Sequence, residues 1–174
     1  MTTDSVSDAA LQKLSLQVGE ALLARRLTLA CAESCTGGWV AKSLTDIAGC
    51  LRWFDRGFVT YTKRAKEDML GLDGTLLERC GVVSEEVVRA MAEGALNHSQ
   101  ASVTLAISGI AGPGGGSKDL PVGLVWFAWL RKIETGRLQR LSRQQIFAGD
   151  REAVRRQAVA GALQGVLAIL NEQS

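Results

Sequence analysis

The chain has 174 residues, enough for one domain with a substantial hydrophobic core, and it contains no apolar run long enough to cross a bilayer. Its 20 basic and 18 acidic residues nearly cancel to a net charge of +2, which argues against a surface dedicated to nucleic acid. The N-terminus is polar and acidic and the four cysteines lack zinc-ligand spacing, so we expect no secretory signal and reduced thiols in a cytoplasmic protein.

The first half of the chain predicts helices that alternate with strands, because apolar residues recur with a helical period and then in short continuous runs. We predict that Ser7 or Asp8 caps the first helix, and that Gly49 and Gly71 end the second and third helices. The predicted elements are a helix at 8–26, a strand at 27–32, a helix at 36–46, a strand at 53–62 and a short helix at 63–70.

In the second half, Ser84 followed by Glu85 and Glu86 is typical of a helix N-terminus, and this helix reaches about residue 97. The other predicted elements are a buried strand at 102–107, a hairpin of strands at 122–130 and 138–147 around a turn at 134–136, and a long terminal helix capped by Asp150. This order predicts a single α/β domain over 1–174, a three-layer α/β/α sandwich with a mixed, mostly parallel sheet.

Residues 29–38 read LACAESCTGG, an apolar run followed by hydroxyl and thiol side chains and two glycines. This order places Ser34 where a strand passes into a helix N-terminus, at which free backbone N–H groups and the helix dipole favour an anion or a developing oxyanion. A helix cap explains the segment equally well, with Ser34 or Thr36 as the N-cap and with Gly37 and Gly38 allowing close packing.

A second unusual segment is the loop at 109–117, in which five of nine residues are glycine. It is not a P-loop, because Ser117 precedes Lys118 and the chain then enters a strand instead of a helix. Its many unencumbered N–H groups, at the end of a predicted strand, suit the close approach of a ligand and make Gly109, Gly112 and Gly114 candidates. The alternative is a surface loop without a ligand.

Two lysines follow the only tyrosine, Tyr61, at the end of a predicted strand. Lys63 and Lys66 fall on the next helical turn, where a solvated basic face is the ordinary interpretation. The functional alternative is a lysine general base beside a serine, since a desolvated lysine loses its proton near neutral pH. The only histidine, His98, ends a predicted helix in a polar segment, so we predict a cap or an exposed residue and no histidine-based triad or metal site.

Three arginines open the last predicted helix. Arg151 directly follows the capping Asp150 and is suited to hold a phosphate or carboxylate group. For Arg155 and Arg156 we expect a solvated face that pairs with neighbouring acids. Aspartates and glutamates are numerous enough for a carboxylate magnesium site, which stays open at this point.

Taken together, these segments resemble the CinA C-terminal domain family, the nicotinamide-nucleotide amidohydrolases. The resemblance covers nearly the whole chain in the family's order, and AESCTGG combined with a GIAGP-type loop is a specific signal. The motifs are AESCTGG at 32–38, GFVTYTKRAK at 57–66, GVVSEEVV at 81–88, SGIAGPGGGS at 108–117, PVGLVWFA at 121–128 and FAGDREAVRRQA at 147–158.

The resemblance implies an enzyme that deamidates nicotinamide mononucleotide to nicotinate mononucleotide and ammonia, without a metal or cofactor. By the family pattern Ser34 is the nucleophile and Lys66 its base. Tyr61 and Ser108 would complete the hydroxyl network. The residues expected to bind substrate are Thr36, Gly37, Gly38, Gly109, Gly112, Gly114 and Arg151. Two positions depart from the pattern: Lys63 stands where relatives usually carry Asn, and Ser108 stands where Thr is common.

Two functions therefore remain open, an amidohydrolase and a non-catalytic module that binds a phosphorylated nucleotide. Both use the glycine loop, but only the enzyme needs the hydroxyl of Ser34 and the amine of Lys66, so their presence together favours the enzyme. In either case we expect a small nucleotide as ligand, no nucleic-acid or membrane partner, and a cytoplasmic homo-oligomer.

Overall fold

The computed structural model describes residues 6–133 and 136–172 and contains a five-stranded sheet with helices on both faces. The helices are α1 (Asp8–Ala24), α2 (Trp39–Thr45), α3 (Lys63–Leu70), α4 (Gly74–Cys80), α5 (Glu85–Asn97) and α6 (Arg151–Asn171). The strands are β1 (Leu29–Glu33), β2 (Phe54–Val59), β3 (Val103–Gly109), β4 (Leu124–Lys132) and β5 (Leu138–Ile146). None of the helices in the described ranges is long and apolar enough to span a membrane.

The strand order in the sheet is β2-β1-β3-β4-β5. Strands β2, β1 and β3 are parallel neighbours, whereas β4 and β5 add an antiparallel hairpin, so the predicted mixed sheet is confirmed and four of its five strands run in one direction. The three parallel strands end at the same edge of the sheet. There the N–H of Thr60 donates to the Glu33 carbonyl at 2.8 Å, and the N–H of Ser34 donates to the Ile107 carbonyl at 3.0 Å. This edge brings the ends of β2, β1 and β3 side by side.

The core consists of two apolar layers, one on each face of the sheet. Helices α1, α2 and α6 cover one face, and α3, α4 and α5 cover the other, which confirms the three-layer sandwich. Helix α6 lies close to β4: a Cβ on Gly165 would stand 2.0 Å from the Trp129 ring, and the Trp129 indole N–H donates to the Ala162 carbonyl at 2.9 Å. The predicted apolar face of α6 is buried throughout, at Val154, Ala158, Ala162, Val166 and Leu170.

Some predicted elements differ from the structure. Helix α2 begins at Trp39 instead of residue 36, because Gly37 and Gly38 have φ values of +61° and +93°. Neither Ser34 nor Thr36 is therefore an N-cap, and Gly38 takes that position. Helix α4 was absent from the prediction. Apart from the start of β5, the strand ends differ from their predicted positions by one to three residues. The turn predicted at 134–136 lies partly outside the described residues.

Candidate active site

A cavity of about 250 Å³ opens where the parallel strands end. Seven of the predicted site residues line it, and they come from distant parts of the chain: Ser34, Tyr61, Ser108, Gly109, Gly112, Gly114 and Arg151. Ser34 reaches the cavity as the first residue after β1, and Ser108 reaches it from the end of the neighbouring strand β3. The topology thus brings the hydroxyl of the first motif next to the glycine loop.

Lys66 lies behind Ser34 and is fully buried, whereas 8% of the Ser34 surface is accessible to solvent. The two groups are in hydrogen-bond contact, with 3.1 Å between Lys66 Nζ and Ser34 Oγ. A second hydrogen bond, 2.6 Å long, runs from Lys66 Nζ to the carbonyl of Thr60, just past the end of β2. Thr62 caps α3 by accepting from the Ala65 N–H, and this cap places Lys66 on the first turn of α3, facing the sheet.

Burial shifts the pKa of two groups beside Ser34, the Lys66 amine and the Cys35 thiol, in opposite directions. It lowers the pKa of Lys66 to about 8, because an ammonium removed from water loses its solvation, and no described carboxylate forms an ion pair with it. Burial raises the pKa of the neighbouring Cys35 thiol to about 12. At neutral pH a minor fraction of Lys66 is therefore the neutral amine, able to accept a proton from Ser34, whereas Cys35 stays a protonated thiol.

A base with the pKa of Lys66 would give any reaction that it assists a characteristic pH dependence. With a pKa of about 8, the neutral fraction of Lys66 rises from about a tenth at pH 7 to about nine tenths at pH 9. We expect kcat/KM to rise about fivefold from pH 7 to pH 8, less than about twofold from pH 8 to pH 9, and to level off above pH 9. The measurement is kcat/KM from pH 6.5 to 9.5, with the residual rate of Lys66→Met as the control, which should lack this inflection. A flat wild-type profile would contradict a base of this pKa.

The N-terminus of α2 is not free for an oxyanion, contrary to the prediction from the strand–turn–helix order. The buried carboxylate of Glu33 accepts hydrogen bonds from the N–H groups of Gly38 and Val40, both at 3.0 Å, and of Ala41 at 2.8 Å. Glu33 thus lies at the positive end of the α2 dipole and, through these three hydrogen bonds, fixes the turn that carries Ser34. Sequence reasoning missed this role, although an acid directly before the turn was visible.

Glu33 should matter for stability because its carboxylate satisfies three backbone donors at a fully buried position. An amide in its place presents an NH₂ group to at least one of those donors. We expect Glu33→Gln to lower the free energy of unfolding by about 3 kcal/mol. The matched control is Glu20→Gln at an exposed position of α1, expected to change the free energy of unfolding by less than about 0.5 kcal/mol. Equal urea midpoints for the two variants would contradict this role of Glu33.

Arg151 lies at the mouth of the cavity, at the first position of α6, and connects two other parts of the site. It donates to the Gly112 carbonyl and to the Tyr61 hydroxyl, each at 2.8 Å. Ser108 instead donates its hydroxyl to the Val82 carbonyl at 2.7 Å. Tyr61 and Ser108 therefore line the same cavity as Ser34. Among the described residues, no hydrogen bond joins either of them to the Ser34 hydroxyl.

The three predicted glycines of the loop play different parts in the cavity wall. A Cβ on Gly109 would meet the Leu124 carbonyl at 2.6 Å, and one on Gly112, whose φ is +81°, would meet Val122 at 2.6 Å. These two glycines let the loop lie against the start of β4. Gly114 has open space around it. Within the described residues, the N–H groups of Gly112 and Gly114 donate no hydrogen bond, so both remain available as donors.

The other predicted binding residues are not brought into this cavity. Thr36 is fully buried, and Gly37 and Gly38 line a second cavity of about 500 Å³ beside Arg155 and Arg156. Arg156 pairs with Asp8 and Glu152, as expected for a helix face. His98 is the exposed C-cap of α5, as predicted.

Arg155 differs from the prediction of a solvated helix face. Its Nε donates to the Cys35 carbonyl at 3.0 Å, and its terminal nitrogen donates to the Thr36 carbonyl at 2.9 Å. The contact spans about 120 residues of sequence, so no local pattern could reveal it.

Fold and site together define an α/β protein with a buried serine–lysine pair at the carboxyl edge of its parallel strands. The profile of the CinA C-terminal domain family matches residues 11–170, and the chain belongs to that family. The nicotinamide-nucleotide amidohydrolase PncC of Escherichia coli K12 is 55% identical over 159 residues, which are 91% of this chain and 94% of that protein. PncC of Pseudomonas putida is 44% identical over 160 residues, 91% of this chain and 96% of the relative.

Solved structures show the same fold. The competence/damage inducible protein CihA of Agrobacterium tumefaciens superposes with a TM-score of 0.85 at 40% identity, covering 95% of this chain and 97% of that one. A CinA superfamily protein of Escherichia coli has a TM-score of 0.84 at 38% identity, covering 98% and 94% respectively. The α/β/α sandwich and the family assignment made from the motifs are both confirmed.

Proposed function

We propose that the protein hydrolyses the carboxamide of nicotinamide mononucleotide to nicotinate mononucleotide and ammonia, with Ser34 as nucleophile and Lys66 as general base. The observation that carries the proposal is the 3.1 Å contact between Lys66 Nζ and Ser34 Oγ beside an open cavity. The identity of the substrate comes from the relatives named nicotinamide-nucleotide amidohydrolase, which match this chain at up to 55% identity over most of its length.

In the first half of the reaction, neutral Lys66 accepts the hydroxyl proton as Ser34 Oγ attacks the carboxamide carbon. The Thr60 carbonyl holds one Lys66 N–H, which keeps the amine lone pair directed at Ser34. The tetrahedral intermediate collapses when the ammonium of Lys66 returns its proton to the leaving nitrogen, so ammonia departs and an ester on Ser34 remains. In the second half, Lys66 activates a water molecule in the same way. Hydrolysis of the ester releases the carboxylate product and restores the hydroxyl.

The anionic parts of the substrate need donors, and the loop and Arg151 supply them. Gly112 and Gly114 offer backbone N–H groups at the cavity wall. Arg151 uses two of the five guanidinium N–H groups in its bonds to Gly112 and Tyr61, which leaves three for a phosphate. We assign the substrate phosphate to this end of the cavity.

A non-catalytic nucleotide-binding module is the second candidate. Such a module has no need of a lysine buried without an acidic partner, because burying an unpaired ammonium costs free energy that must be offset elsewhere. The position of Lys66 against Ser34 therefore favours the enzyme.

The experiment is an ammonia-release assay with nicotinamide mononucleotide, run with and without EDTA. We expect turnover in both conditions, because every step of the proposed mechanism uses groups of the protein and water and none uses a metal ion. Loss of turnover in EDTA that a divalent ion restores would contradict the metal-free mechanism. Tight binding of the mononucleotide without release of ammonia would identify the binding module.

We further propose that the protein is a cytoplasmic homo-oligomer and needs no cofactor. Light scattering of the purified protein tests its oligomeric state.

A further inference from the structure

We propose that Arg155 is a positioning residue for the nucleophile, which acts by holding the peptide units directly after Ser34. This inference rests on the proposed role of Ser34. Arg155 does not line the cavity that contains Ser34, and its guanidinium lies on the other side of the turn.

The contact is bidentate. Two nitrogens of one guanidinium donate to two consecutive carbonyls, Cys35 at 3.0 Å and Thr36 at 2.9 Å. Because each peptide unit is planar, a fixed carbonyl also fixes the direction of the N–H in the same unit. Arg155 therefore restrains the backbone of the two residues that follow the nucleophile.

Arg155 adds to the turn's own backbone hydrogen bonds, from the Gly37 N–H to the Ser34 carbonyl at 3.1 Å and from the Trp39 N–H to the Thr36 carbonyl at 3.2 Å, in a segment whose sequence favours flexibility. Gly37 and Gly38 follow at once, both with positive φ, and glycine is the residue with the greatest backbone freedom. Glu33 holds the N–H groups of Gly38, Val40 and Ala41. A carboxylate thus binds the amides from Gly38 onwards and a guanidinium binds the carbonyls before Gly37, so the turn is fixed on both sides.

The Arg155 guanidinium is itself held in place. It stacks on the Trp39 ring at 5.3 Å, and α6 carries it on its second turn, whose flanking residues Val154, Ala158 and Val159 are buried. Arg156 provides a matched comparison, because it stacks on the same ring at 4.9 Å and is also partly buried. Its hydrogen bonds go to Asp8 and Glu152 and not to the Ser34 turn.

The test compares Arg155→Met, Arg155→Lys and Arg156→Met in the full chain. A misplacement of about 1 Å at a reacting group costs about 100-fold in rate, so we expect Arg155→Met to lower kcat by about that factor with KM changed by less than about threefold. Arg155→Lys keeps the charge but only one of the two bonds, and its kcat should fall between those of Arg155→Met and the wild type. Arg156→Met should keep kcat within about twofold of the wild type.

Labelling of Ser34 by a fluorophosphonate gives a second readout that a merely structural role would not change. The labelling rate should fall in parallel with kcat in the folded Arg155 variants, while the pH at which the rate reaches half its maximum stays the same. Wild-type kcat in Arg155→Met, or in Arg155→Lys if the methionine variant does not fold, would overturn the inference, as would equal losses in Arg156→Met. A wild-type protein that neither turns over nor labels would overturn the proposed function, and this inference with it.

Discussion

Replacing Ser34 with alanine is expected to lower kcat/KM for nicotinamide mononucleotide by at least about 1,000-fold, because among the described residues Ser34 carries the one cavity hydroxyl that is hydrogen-bonded to Lys66. The Cys35 thiol is a poor substitute, since burial raises its pKa to about 12. Alanine fills less space than serine in a turn that already contains two glycines, so the fold should be retained. The measurement is kcat/KM, with circular dichroism as the fold control.

Lys66→Met should cause a loss of similar size, since without a base the hydroxyl of Ser34 stays a weak nucleophile at neutral pH. Methionine has a similar length and removes an ammonium from a fully buried position, so this variant should fold. The double variant should be little worse than either single one, because groups that act as a unit have non-additive effects.

Lys63→Asn is the matched control for the base. Lys63 is exposed at the first position of α3, whereas Lys66 is buried, and asparagine is the residue that the family resemblance leads us to expect at position 63. This variant should keep most of the activity. An inactive Lys63→Asn beside an active Lys66→Met would show that the base is assigned to the wrong lysine.

The second large effect concerns the phosphate. The riboside should be hydrolysed with a kcat/KM at least about 100-fold lower than the mononucleotide, because it loses charge-assisted hydrogen bonds worth about 1.5–3 kcal/mol each. Arg151→Met should remove much of this preference by slowing the mononucleotide and leaving the riboside nearly unchanged. The comparison is kcat/KM for both substrates with both proteins.

Arg64→Met is the control for that experiment, because Arg64 is an exposed arginine whose one ion pair among the described residues is with Asp68. It should leave the ratio of the two substrates at the wild-type value. Equal rates for riboside and mononucleotide in the wild-type protein would remove the phosphate from this end of the cavity. A ratio that Arg151→Met does not change would leave the glycine loop as its only binding element.

Local signals in the sequence predict much of the fold. The bounds of α3 match at both ends, because a threonine cap precedes it and Gly71 adopts a φ of +68° after it. Helix α5 likewise begins where Ser84 accepts from the Val87 N–H. Periodicity cannot decide between Lys63 and Lys66, which lie on the same helical turn. Only the family resemblance chose Lys66, and the packing of α3 against the sheet explains why that lysine is buried.

The sequence did not predict two side-chain contacts that fix the turn after Ser34, because both depend on how the surrounding elements pack. The side chain of Glu33 folds forward onto amides five to eight residues later, and Arg155 reaches back across about 120 residues to the same turn. The sequence pattern predicts a solvated face for Arg155 and gives no role to Glu33. Their burial depends on how β1, α2 and α6 meet. The same packing separates Gly37 and Gly38 from the cavity of Ser34, although they are close to it in sequence.

The most direct test of the serine–lysine mechanism is the capture of the covalent intermediate. The protein is mixed with nicotinamide mononucleotide, quenched in acid during turnover, digested and analysed by mass spectrometry. The mechanism predicts an adduct with the mass of the substrate minus ammonia on Ser34, absent from Ser34→Ala and depleted in Lys66→Met. An adduct on Cys35, or undiminished turnover by Ser34→Ala, would contradict it.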